Sequence, residues 1–255
     1  MGLVAKTAEF FLLSLGLGLG GFTALVNTQD TGVGFLRLNN AVCMGALVLA
    51  LTVHFLSDYS FDIQTILYVA TLMVFLSIHF LHKDEKAPMM WTLYGLHNAF
   101  ILSLLVLFFN QSLLSFGIFL TSSLFLGIIT FAMLLGHWYL VTPKLSERPL
   151  KVAMIVLWVL LGIKLIITSF SMAHSYEFFT AGTSLGAGLA FNWLMLLMRI
   201  GWGYLVIGVM SYFTWKLIEQ RSLQSATGIL YVMTFFVFIG ELISTYIFYN
   251  YGLYL

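Results

Sequence analysis

The chain has 255 residues, 61% of them hydrophobic and only 8% charged, with a formal net charge of +1. Soluble domains carry roughly 25% charged residues, so there is too little polar surface here to cover a globule in water, and the chain reads as an integral membrane protein whose first partner is the lipid bilayer. The charge is spread thinly, without a basic stripe or acidic tail, which excludes nucleic acid as a partner, and the one cysteine, Cys43, excludes an intrachain disulfide and a cysteine-built zinc site.

A helix crossing a bilayer needs about 20 mostly apolar residues, because each of its backbone donors and acceptors must be satisfied within the segment. In chain order the runs that meet this are 8–29, 34–57, 63–82, 89–109, 113–140, 150–173, 190–217 and 225–250. They predict an all-α fold, a single bundle of about eight transmembrane helices forming one domain over residues 1–255. The first run follows Lys6 as a signal peptide would, but it is long and no small-x-small cleavage site follows, so a retained helix is expected. Its "GLGLGG" stretch, Gly16 to Gly21, looks like a dinucleotide loop only superficially, since no strand precedes it. Gly16 and Gly20 make a small-xxx-small face suited to close helix packing instead.

The second run carries His54 near its end, and the next three carry four more histidines. His79 and His82 stand at the end of the third run, His97 about two turns into the fourth, and His137 near the end of the fifth. Short connections between antiparallel helices can bring such rings together, and neutral imidazoles from facing helices can hold a b-type haem or a transition metal. His97 and His137 are the candidate metal ligands and His79 and His82 the remaining candidates for a cofactor site. Each of the four also suits an interfacial or hydrogen-bonded histidine. There is no HExxH, no GxSxG and no Walker sequence, which disfavours a zinc protease, a serine hydrolase and ATP-driven work.

The last three runs each place one ionisable residue deep in the span: Lys164, Arg199 and Glu241. Counting about 1.5 Å per residue, the three fall at one depth, slightly to the outer side of the centre. An isolated charge there costs at least about 2.5–3.5 kcal/mol, so the side chains are expected to face the bundle interior and to meet. Asn192 shares the face of Arg199, with Gly203 leaving room beside the guanidinium, and His54 lies nearer the same surface; Asn192 and His54 with Lys164, Arg199 and Glu241 form the candidate ligand-binding set. The same charges could also serve as a polar lock between helices. If pairing with Arg199 were all that Glu241 did, neutralising Arg199 alone would harm more than neutralising both. The long connection 174–190, "HSYEFFTAGTSLGAGLA", is the candidate mobile lid.

Orientation follows from lysine and arginine. With Lys164 and Arg199 set aside, Arg37, Lys83, Lys86, Lys144, Arg148, Lys151, Lys216 and Arg221 fall on one side of the bundle and Lys6 on the other. The positive-inside rule then puts both termini away from the cytoplasm, in a multi-pass protein of the cell (inner) membrane. Three functions fit: a subunit of a redox system that binds a b-type haem or a quinone, a small gradient-driven transporter or channel for an anionic or zwitterionic solute, and a non-catalytic subunit packed against other membrane subunits.

Overall fold

A computed structural model of the protein describes residues 2–26, 28–57, 62–81, 88–108, 113–142, 145–180 and 188–255. Within them the chain is almost entirely helical, with no strand. The elements are α1 (Gly2–Phe22, continued by a 3-10 turn at Thr23–Leu25), α2 (Thr28–Ser57), α3 (Ile63–Leu81), α4 (Pro88–Phe108), α5 (Leu113–Val141), α6 (Arg148–His174), a 3-10 turn at Tyr176–Phe179, α7 (Leu189–Ile200), a π-helical segment at Gly201–Val206, α8 (Ile207–Glu219) and α9 (Leu223–Tyr251). Seven helical stretches are long and apolar enough to cross a membrane, with α7, the π segment and α8 counting as one. Helix α4 adds a shorter apolar stretch, Trp91–Leu107.

Two helix starts differ from expectation. Helix α1 begins at Gly2, so Lys6 lies inside it rather than ahead of it, exposed where its long stem can reach the polar surface. Helix α2 begins at Thr28 and breaks at Gly32, where φ of +74° suits only a residue without a Cβ. The break turns Thr31 toward α5, whose Trp138 indole donates to the Thr31 carbonyl at 2.8 Å. A charged residue near a helix end, or a glycine kink, does not end a helix that packing continues to support.

Helices α1 and α5 run through the middle of the bundle, 67% and 72% buried over their apolar windows, against 33% for α3. Helices α2, α3 and α4 pack on one flank, and α6, α7, α8 and α9 on the other. A helix buried on every side must be apolar on every side, and α5 meets this with Phe119, Phe125, Ile128, Ile129, Phe131 and Leu135. In lipid the gain comes from close packing more than from leaving water, so small residues decide where helices touch. The expected glycine face exists: Gly16 meets Ile101 of α4, and Gly20 sits against the His97 ring. The tightest crossing is on the opposite side of α1, where Gly18 lies on the backbone of α5 at Ser123 and Gly127.

The described part of the connection after α6 is packed rather than projecting. Its 3-10 turn buries Phe178, whose ring centroid lies 5.2 Å from that of Tyr251, while Phe179 meets Trp193 at 5.9 Å. Residues 181–187 of the candidate lid lie outside the described residues.

Candidate functional site

Lys164, Arg199 and Glu241 meet. Lys164 belongs to the buried face of α6 that includes Leu157, Leu160, Leu161 and Thr168, and Arg199 ends the buried line of α7 that begins with Asn192 and Leu196. Glu241 follows Gly240 on the inner face of α9. Its two carboxylate oxygens are divided between the cations: Oε1 accepts from Arg199 Nη1 at 2.9 Å and Oε2 from Lys164 Nζ at 3.0 Å. All three side chains are at least 96% buried.

The neighbours of this triad come from elements that sequence reasoning did not connect to it. Lys164 Nζ also donates to Ser122 Oγ of α5 at 2.6 Å. The guanidinium carbon of Arg199 lies 4.6 Å from the Tyr204 ring centroid, a cation–π distance. The Tyr204 hydroxyl in turn shares a 2.6 Å hydrogen bond with Thr168 of α6. Tyr204 reaches this place because the segment Gly201–Val206 is π-helical, which shifts the side chains after Arg199 around the axis. Such one-turn bulges are frequent at functional sites. Gly203 and Gly240 let the two backbones close to within van der Waals contact beside the guanidinium: a Cβ at Gly240 would stand 3.0 Å from Gly203 Cα and 3.2 Å from Arg199 Nη1.

The charge balance is uneven, with two fixed cations on one carboxylate. Arg199 Nε and Nη2 are buried without a hydrogen-bond partner among the described residues. Beside Lys164 lies a small void of about 10 Å³ whose walls include Thr121, Thr168, Tyr204 and Tyr254, enough for about one water molecule. It shares Ile118, Ile167 and Tyr254 with a larger, mainly apolar cleft of about 1050 Å³ between α5 and α6, walled also by Ile166, Phe170 and His174. Ile166 and Phe170 are exposed at the bundle surface, so the cleft runs from the outer side of α6 to the wall of the charged cluster.

The other two members of the expected ligand set have other partners. Asn192 is buried on the Arg199 face, but its amide donates to the Phe178 carbonyl at 3.2 Å and holds the 3-10 turn. His54 belongs to a second buried polar cluster, joined to Glu9 of α1: His54 Nδ1 lies 2.9 Å from Glu9 Oε1, and the Tyr68 hydroxyl donates to the same oxygen at 2.8 Å. Thr65 and Asp62, at the start of α3, lie on the other ring nitrogen. For Asp62, burial works upward but is outweighed by the Thr65 backbone N–H, the nearby His54 and the Thr65 hydroxyl, which hold its carboxyl below the usual aspartate range. Glu9 was legible as an acidic residue inside an apolar run; Tyr204 and Ser122 gave no signal, since tyrosine and serine are common in membrane helices.

The candidate cofactor histidines have separate surroundings. His79 is exposed at the end of α3 against Phe80. His97 is fully buried with its ring 4.1 Å from that of Phe75, and neither ring nitrogen has a hydrogen-bond partner among the described residues. His137 is exposed and pairs with the Tyr231 hydroxyl of α9 at 2.9 Å. His82 lies outside the described residues. No three His, Cys, Asp or Glu side chains among the described residues gather at a position that could hold a metal ion. No protein-family model, characterised protein or solved structure matches this chain.

Proposed function

We propose that this is an eight-span protein of the cell membrane, both termini non-cytoplasmic, that binds a membrane-soluble ligand through an oxygen-bearing head group at Lys164 and Arg199. A quinone of a redox system is the first ligand class to test. The carrying observation is the union of surplus buried positive charge with an apolar cleft that reaches lipid: a head oxygen would lie against the ammonium, the Thr168 and Tyr204 hydroxyls would border it, and an apolar tail would occupy the cleft. Pockets of this class pair a mainly apolar lining with a few convergent polar groups. Within the redox reading, the quinone branch is favoured over the haem branch because His97 and His137 sit in unrelated surroundings.

The test uses the purified full chain in detergent or nanodiscs, with a short-chain quinone and a short-chain anionic lipid titrated separately. Lys164→Met leaves the Arg199–Glu241 pair intact and removes one charge-assisted hydrogen bond, worth about 1.5–3 kcal/mol, so binding of the true ligand is expected to weaken about ten- to a hundredfold. Undiminished binding in a folded Lys164→Met protein would mean that the charges only lock the helices. For the orientation, with Cys43 replaced by alanine, the cysteine of Ser146→Cys should be labelled from the cytoplasmic side and that of Glu177→Cys from the opposite side. Labelling of both from one side would overturn the eight-span arrangement.

A further inference from the structure

The second buried cluster is a connected line from the surface to the interior. At its outer end stands Asp62, whose side chain is 38% exposed. The Thr65 hydroxyl lies 3.3 Å from Asp62 Oδ1 and 3.4 Å from His54 Nε2, while Asp62 Oδ1 itself is 3.7 Å from that nitrogen. Across the ring, His54 Nδ1 is 2.9 Å from Glu9 Oε1, and Glu9 is 2% exposed. Both nitrogens of one imidazole therefore face an oxygen, one set leading to the surface and the other to a carboxylate inside α1. Hydrogen bonding by Tyr68 holds that carboxylate from a third helix. The ionisable groups facing Glu9 from the packed elements are His54 of α2, Asp62 and Tyr68 on the α3 side, and Tyr249 of α9, which lies within its electrostatic reach.

A purely structural polar contact needs no exposed carboxylate at the far side of the histidine. Intramembrane carboxylates joined to histidine mark proton pathways, and imidazole suits the work because it can accept a proton on one nitrogen while releasing one from the other.

We propose that Asp62, Thr65 and His54 form a proton-loading path to Glu9, reached from the face of the bundle where α2 connects to α3. In loading, Asp62 takes a proton from water at the surface and passes one through the Thr65 hydroxyl to His54 Nε2 while the proton on Nδ1 moves to Glu9 Oε1, which leaves the ring in its Nε2–H tautomer. Unloading runs the same steps backward, Glu9 returning a proton to Nδ1 as Nε2 releases its own toward Asp62, so the starting tautomer is restored. This site is independent of the ligand reading for Lys164 and Arg199, which lie on α6 and α7.

The experiment is infrared difference spectroscopy on the full chain in nanodiscs, stepped in pH, with stopped-flow dye measurement of proton uptake. The parent protein should show the carbonyl band of a buried carboxylic acid rising as pH falls, and Glu9→Gln should lack it. His54→Gln keeps a hydrogen-bonding side chain but cannot relay, so the band should form about a hundredfold more slowly. Asp62→Asn, altered at the surface and expected to fold, should keep the band while slowing uptake. The proposal is overturned if the band survives in Glu9→Gln, or if His54→Gln and Asp62→Asn take up the proton as fast as the parent. Should Glu9→Gln fail to fold, the Asp62→Asn rate alone decides.

Discussion

Replacing Glu241 by glutamine is expected to be the most damaging single change in the charged cluster, costing about 3–5 kcal/mol, because it leaves two buried cations facing each other without a counter-charge. Against a total stability of about 5–15 kcal/mol, such a protein should fold poorly or melt early. Arg199→Met is expected to cost less, about 1–2 kcal/mol, because the Lys164–Glu241 contact at 3.0 Å survives as a neutral pair. Because Glu241 holds both cations, pairing with Arg199 is not all that it does, and neutralising Arg199 alone does not strand the carboxylate. Cys43 supplies the readout: it is 1% exposed and is the only cysteine in the chain, so a thiol-reactive dye reports its release on heating. Equal melting of Glu241→Gln and Arg199→Met would show that the two cations are balanced by something besides Glu241, such as a bound anion.

Gly18→Ala should be the other large effect. The added methyl would land on the Ser123 carbonyl and 2.8 Å from Gly127 Cα, and backbone cannot step aside as a side chain can. Overpacking of this kind costs about 1–3 kcal/mol and occasionally more, and here it would separate the two helices at the centre of the bundle. Gly16→Ala, two residues away on the same helix, places its methyl at 3.5 Å from the end of Ile101, an ordinary contact. It should therefore be nearly neutral. Thermal release of Cys43 in the same dye assay gives the comparison, and a Gly16→Ala protein less stable than Gly18→Ala would mean that α1 packs with a different face toward α5.

What the site contains was partly written in the charges. Lys164, Arg199 and Glu241 could be singled out because lipid makes ionised groups expensive and so selects for partners at matching depth. Which oxygen serves which cation could not be read, nor could the arrival of Ser122 and Tyr204. Those depend on the helix crossings and on a single π turn, and no side-chain pattern specifies that turn. His54 illustrates the same limit: depth suggested a role near Arg199, yet its helix packs on the other flank, beside Glu9.

By itself the sequence determined the helical class and the approximate extent of nearly every span, since an unsatisfied peptide group is costly wherever water is absent, and hydropathy along the chain responds to that local rule. It determined also that the charges in the last three spans would face inward. Tertiary structure alone decided the partnering: that α1 and α5 form the centre, that Gly18 rather than Gly16 sets the closest crossing, and that Lys164, Arg199 and Glu241 gather in one buried cluster and Glu9 and His54 in another. The reason is that helices of nearly uniform apolar character offer each other many similar faces, so the choice among them rests on shape and on a few hydrogen bonds.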